Sequence, residues 1–318
     1  MGACVGRGSE VAPAETSRGG ANGHDAPPLA LGVDIGGTKT AVALTRGGEV
    51  VEHTEAPTPV DDLGALIEAI DTLVRPFLAR FEVTSVGVCA PGLVDPSTGL
   101  IGHCANVPAL IDVPLEARLC ERLGLPVRVE NDANAAAWAE HHFGAARAWR
   151  ASFFLTVSTG VGGGFVSEHG LHRGRHGYAA DVGHITLVQD GRLCSCGERG
   201  CVETYSSGKA VAERASEAYG RSLTTREAFA LARSGDPVAA AVVTDAARAL
   251  ATALMTVTKV VDPDGLVIGG GVASNEPWFV DQIRAHLAAS LLTYRPVPLE
   301  MAQLGARAGV IGAASLSR

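Results

Sequence analysis

The sequence lacks most of what would place a chain in a membrane, outside the cell or on nucleic acid. Its longest uncharged stretch, residues 151–167, is 17 residues long and is interrupted by Thr156, Thr159, Gly160, Gly162, Gly163 and Gly164. That composition makes a strand, a glycine loop and a second strand, not a bilayer span. The first residues have no basic start followed by an apolar core, so a secretory leader is not expected. Lys and Arg number 26 against 34 Asp and Glu, a net charge of −8, and no dense basic cluster is present. A chain of that sign repels nucleic acid and anionic lipid. Seven cysteines are an odd number, and Cys194, Cys196 and Cys201 crowd together. Reduced cytoplasmic thiols with one metal site fit this better than a disulfide framework. Neither a Walker loop nor a dinucleotide fingerprint occurs, because a hairpin and not a helix follows the first glycine turn.

What is present is a small-residue-rich globular chain: 318 residues, 47% of them hydrophobic and 39 of them Gly. That length suggests about two domains. Residues 1–28 hold no large aliphatic pair and are expected to form a disordered tail. Order is expected from Leu29, with strands at 29–35, 40–45 and 49–55, a helix within 61–80, and a strand at 84–89. A helix at 115–123, a strand at 127–130 and a helix starting at Asn131 or Asp132 follow. The second half repeats the pattern with strands at 152–157 and 164–167 around a glycine turn. Helices follow near 206–219, 225–232 and 238–260, then a strand at 265–269 with Gly270-Gly271 as its turn. Two α/β lobes with a cleft between them are predicted: 29–131, completed by a C-terminal helix in 305–318, and 132–304.

Four constellations carry chemistry. Asp34-Ile35-Gly36-Gly37-Thr38-Lys39 exposes backbone N–H groups and a hydroxyl to an anion, and an acid at the end of a buried strand suits a hydrated Mg²⁺ beside phosphates. Ser158-Thr159-Gly160-Val161-Gly162-Gly163-Gly164 offers a second such loop from the other half, so the pair reads as a clamp on a polyphosphate. Gly269-Gly270-Gly271 is a third close-approach site, suited to an adenine or ribose. Glu130-Asn131-Asp132-Ala133-Asn134 places Asp132 at a helix start, where dipole and free N–H groups are expected to keep it ionised as a base or substrate anchor. His184-x₉-Cys194-x-Cys196-x₄-Cys201 saturates a tetrahedral Zn²⁺, leaving no open position, so the ion is structural. It would orient Asp181 and Glu203 on either side of a polyol-binding wall. The basic segment Gly170 to Gly177, with Arg173 and Arg175, either approaches substrate or remains a solvated loop.

Together these residues resemble the ROK family of sugar kinases and repressors, and within it the bacterial glucokinase-like branch. The resemblance covers about residues 29–318 and rests on DIGGTK (34–39), ENDANAAAWAE (130–140), STGVGGG (158–164), GHITLVQDGRLCSCGERGCVETYSSG (183–208) and IGGGVA (268–273). It implies the two-lobed actin-like ATPase (ribonuclease H-like) fold with an interlobe cleft. ATP would bind across the lobes, with Gly36, Gly37, Thr38 and Lys39 near the transferring phosphates and Thr159, Gly160 and Gly162 facing them. Gly270 and Gly271 would lie by the nucleoside. Asp132 would take the proton of a primary sugar hydroxyl, usually at C6, while Asn106, Asn131, Asp181, His184 and Glu203 hold the sugar. His184 would use one ring nitrogen for zinc and the other for sugar. Members are commonly dimers.

Two departures stand out. Asp181 occupies a position where the family usually has Glu, and Ser158 replaces a usual Gly. A carboxylate arm one methylene shorter moves its oxygens by about 1–1.5 Å, enough to change hydrogen-bond selectivity. Kinases of kanosamine, N-acetylated hexosamines or C7-cyclitols are therefore alternatives to a glucokinase. A sugar-responsive repressor or a non-catalytic sensor is the alternative of another class. The net charge and the short low-complexity segment before Leu29 weigh against the first, and the full set of acids and loops against the second.

Overall fold

A computed structural model describes residues 27–104, 106–290 and 295–317. The expected tail, apart from Pro27 and Pro28, lies outside the described residues. Along the chain, β1 (Leu29–Ile35), β2 (Lys39–Arg46) and β3 (Glu49–Pro57) form an antiparallel meander. Helix α1 (Leu63–Leu78), capped by Asp62, returns the chain to β4 (Val86–Ala90), which pairs parallel with β1. A small sheet of β5 (Leu93–Val94), β6 (Leu100–His103) and β7 (Val113–Pro114) intervenes, with no counterpart in the sequence reading. Helix α2 (Leu115–Leu123) then leads to β8 (Val127–Asn131), parallel to β4, and α3 (Asp132–Phe143) follows without a break.

The second half holds β9 (Ser152–Val157), β10 (Val161–Ser167) and β11 (Gly170–Leu171), then α4 (Glu203–Ser206), α5 (Gly208–Tyr219), α6 (Thr225–Arg233) and α7 (Pro237–Val261). It closes with β12 (Gly265–Gly269), α8 (Gly270–Asn275), α9 (Pro277–Ser290), β13 (Leu299–Met301) and α10 (Ala308–Leu316). The sheet orders β3-β2-β1-β4-β8 and β11-β10-β9-β12-β13 match in plan, each a hairpin on one side of a first strand and parallel strands on the other. Each sheet has its own apolar core, one around Leu31, Ile70 and Leu119, the other around Phe153, Phe229, Leu250 and Phe279. Of the described helices, α7 alone is long and apolar enough to cross a membrane, yet half of its most apolar stretch is buried, and it packs on α6 and α9.

Helices α3 and α10 run between the two sheets: α10 lies on β1 and β4, and α3 packs on β9, β10 and α10. That packing needs strands without side chains. A Cβ on Gly87 would sit 1.7 Å from the Ala313 carbonyl oxygen, and one on Gly32 2.1 Å from that of Val310. Gly87→Ala is therefore expected to lower the thermal midpoint by about 2–4 °C or more, since forced overpacking costs ~1–3 kcal/mol or more. An unchanged midpoint would show that α10 can lift off the sheet freely.

Two local expectations change. The strand expected from Gly164 starts at Val161, because Gly162 and Gly164 lie flat against Ala133 and Ala137 of α3, where built Cβ atoms would come within 3.1 and 2.5 Å. Gly270-Gly271, expected as a turn, opens α8 directly.

Candidate active site

Asp34 is the penultimate residue of β1, and Asp132 begins α3, the helix packed between the sheets. Both are half-buried and near enough for their charges to interact. Burial raises the Asp34 carboxyl above its usual range, while the Cys89 thiol, hydrogen-bonded to it, and the Lys39 charge oppose the rise. Asp132 is pushed up to about 7, first by burial and then by the Asp34 charge, although its carboxylate accepts the Ala133 N–H at 2.8 Å. The helix start by itself favours an ionised Asp132. Desolvation and a neighbouring acid outweigh the dipole here.

The residue before it is more occupied than its sequence role implied. Asn131 Oδ1 caps α3 by accepting the Asn134 N–H at 3.0 Å, and Asn131 Nδ2 donates to the Gly92 carbonyl at 3.0 Å. Only one amide hydrogen is left for a ligand. Asn106 is exposed and its backbone oxygen lies against Gly37, which puts it at the first glycine turn. Lys39 Nζ pairs with Glu55 of β3 at 2.7 Å, so in this structure its ammonium is held by the neighbouring strand. Thr38 is exposed at the same turn. Beside Asp34 and Gly36 opens a cavity of about 310 Å³ whose walls include Glu55 and Arg307 but not Asp132.

The second glycine loop closes with Ser158 N–H donating to the Gly160 carbonyl at 2.9 Å, leaving Thr159 exposed at its tip. Glu203, the first residue of α4, reaches this loop: Oε2 accepts the Val161 N–H at 2.9 Å. A Cβ on residue 160 would meet that oxygen at 2.5 Å, so the contact needs Gly160. Gly162 abuts Ala133, next to Asp132. Gly270 and Gly271 lie against Thr156, Val157 and Ser158 at the base of the loop. Asp34 and Asp132, and the loop and Glu203, are thus linked through Gly162 and Ala133.

Asp181 is half-buried. Burial and the Glu203 charge raise its carboxyl, and the His184 charge opposes them, which places these three groups together. The ligand atoms of His184, Cys194, Cys196 and Cys201 all lie within 4.8 Å of one another. His184 Nδ1 is 3.5 Å from Cys194 Sγ, and the sulfurs of Cys196 and Cys201 are 3.7 Å apart. Zn–S bonds of about 2.3 Å at tetrahedral angles span such edges. Burial and the crowded sulfurs hold the Cys201 thiol well above its usual range, a cost that a divalent cation removes. The donor set and its spacing therefore fit zinc, with His184 Nε2 left on the far side of the ring. Sequence reasoning missed the Glu203–Val161 contact and the use of Arg173, whose Nε donates to Glu130 at 2.5 Å. Neither leaves a local pattern.

The ROK family sequence profile matches residues 30–318. The chain is 35% identical over 311 residues to a glucokinase of Streptomyces coelicolor, spanning 91% of this chain and 98% of that protein. It is 37% identical over 290 residues to an N-acetylmannosamine kinase of Citrobacter koseri, with 91% and 98% covered. A solved ROK family glucokinase of Streptomyces griseus, in complex with glucose and AMPPNP, superposes with a TM-score of 0.80 at 36% identity, covering 91% of this chain and 99% of that one.

Proposed function

This chain belongs to the ROK family, and on that premise we propose that it moves the γ-phosphoryl group of ATP to the primary 6-hydroxyl of a hexose, with Asp132 as general base. It is an ATP-dependent sugar kinase with the two-lobed actin-like ATPase fold, in the glucokinase-like branch. ATP and Mg²⁺ go with that activity. The observation that carries the finer reading is the position of Asp132: half-buried, its acid pushed up to about 7, between Asp34 and a glycine loop held by Glu203.

Phosphoryl transfer needs an aligned acceptor, charge neutralisation and excluded water. Asp132 orients the hydroxyl and accepts its proton as the new O–P bond forms, so no free alkoxide is needed. Asp34 would hold Mg²⁺, which when bound offsets charge on the phosphates. Backbone N–H groups of the 37–38 and 159–160 turns would offer donors to the same phosphates, the Gly36 and Val161 N–H groups being taken by the Lys39 carbonyl and Glu203. Asn106, Asn131, Asp181, His184 and Glu203 hold the remaining sugar hydroxyls. Zn²⁺, bound by His184, Cys194, Cys196 and Cys201, would fix the loop that carries this wall.

A coupled assay across glucose, mannose, glucosamine, N-acetylglucosamine, N-acetylmannosamine, kanosamine and a cyclitol tests the acceptor. Glucose with the highest kcat/KM supports the glucokinase reading. N-acetylmannosamine in that place supports the second reading, which the Citrobacter relative favours. The short arm of Asp181 is expected to set the ranking. Asp181→Glu should change the ratio of kcat/KM between the two best sugars by about 10-fold, because one misplaced hydrogen-bonding group costs ~1–3 kcal/mol. An unchanged ratio would remove Asp181 from the sugar wall.

A further inference from the structure

Arg173 lies two residues beyond β11, in the segment that leaves the second sheet for the zinc loop. Its Nε donates to Glu130 Oε2 at 2.5 Å, across to the penultimate residue of β8 in the first sheet. Glu130 is only 7% exposed, and Arg173 is the only cation paired with it among the described residues. The other carboxylate oxygen accepts the Asn131 N–H and Asn134 Nδ2, both at 3.0 Å. Those two residues flank Asp132 in the first turn of α3. Asn134 turns its NH₂ to Glu130 although this leaves its buried Oδ1 without a hydrogen-bond partner, so Glu130 dictates the local arrangement. The same segment touches the first lobe again at Gly177, where a Cβ would come 2.1 Å from the Val94 carbonyl oxygen. It then turns through Ala180 (φ 66°) into Asp181.

We infer that Arg173 is a positioning residue for Asp132, acting through Glu130 and tying the base to the segment that carries the sugar wall. The inference rests on Asp132 being the base. Without Arg173 the buried Glu130 loses its one charged partner, and Oε2 must draw in water or swing to a new partner, which shifts the first turn of α3. A displacement of roughly 1 Å at the reacting groups can cost about 10²-fold in rate.

The test is steady-state kinetics on the full-length, metal-loaded enzyme, with ATP and whichever sugar of the panel turns over fastest. Arg173→Ala, Arg173→Lys and Asp132→Asn are measured side by side, with thermal midpoints. Arg173→Ala is expected to lower kcat by about 10-fold or more while the KM for ATP stays within about twofold. Arg173→Lys is expected to recover most of the loss, because the pairing uses a single N–H. Should Arg173→Ala not fold, Arg173→Gln, which keeps a donor and drops the charge, replaces it with the same expectation of a lowered kcat. A kcat for the folded Ala or Gln variant within about twofold of the parent overturns the inference, as does a folded Lys variant as slow as either. If Asp132→Asn is inactive while Arg173→Ala is normal, only the positioning role fails. If Asp132→Asn turns over normally, the base assignment fails with it.

Discussion

Replacing Asp132 with Asn is expected to lower kcat by at least about 10²-fold with little change in the KM for sugar, the loss typical of removing a general base. The amide still accepts a hydrogen bond from the sugar hydroxyl but has no basicity to take its proton. The parent should show an acid limb in kcat/KM. The carboxyl is pushed up to about 7, so activity falls as pH drops through that value and the base is protonated. A divalent cation offsetting the Asp34 charge moves the limb lower. The stability consequence has the opposite sign. A carboxyl whose folded pKa is raised contributes stability that is fully present below its unfolded value, near 3.8, and is lost as pH rises through about 7. Asp132→Asn should therefore gain heat stability relative to the parent as pH rises from about 4 to 7, with the gain level above that. A slow variant that is more stable at neutral pH identifies a functional acid whose burial costs stability. Equal turnover in both proteins, or a variant less stable than the parent at neutral pH, would contradict the assignment.

Removing a zinc held by the Cys/His cluster is expected to weaken the binding of both substrates. Glu203 lies two residues past Cys201, and its carboxylate holds the Val161 N–H of the glycine loop. Releasing the zinc loop frees that carboxylate, so the sugar wall and the phosphate loop loosen together. Chelation, or Cys201→Ser, is expected to raise the KM for sugar and for ATP by about 10-fold each or more, in line with the loss of orienting groups around metal sites. The thermal midpoint should fall as well, since binding energy for a structural zinc is folding energy. Metal-free protein with unchanged KM values would show that residues 184–203 hold their shape unaided. Glu203→Ala provides the complementary measurement: it should raise the ATP KM with the zinc still bound.

Much of this site is legible in the chain because its signals are local. The Cys/His spacing, the acid followed by two glycines, and the Glu-Asn-Asp run each fix what a few neighbouring residues can do. The repeat of strand, glycine turn and strand in both halves likewise foreshadows the two matched sheets. The errors arise where a distant element decides. Residues 161–163 read as part of a glycine turn, but they belong to β10, whose Gly162 and Gly164 face α3 while Gly163 faces Phe153, Ala180 and Val182 on the other side. The proton affinity of Asp132 has a related origin. The helix start is visible in sequence, whereas burial and the charge of Asp34, far away along the chain, are not.

The sequence by itself therefore determined most of the α/β elements, the two glycine loops, the candidate metal-ligand set and the acids, since backbone freedom, capping and ligand spacing act over a few residues. Tertiary structure alone decided that Glu203 grips Val161 and Arg173 grips Glu130, partners 42 and 43 positions apart. It also set the proton affinity of Asp132. Desolvation and Coulomb interaction depend on distance through space, and only the packing of α3 between the two sheets fixes those distances.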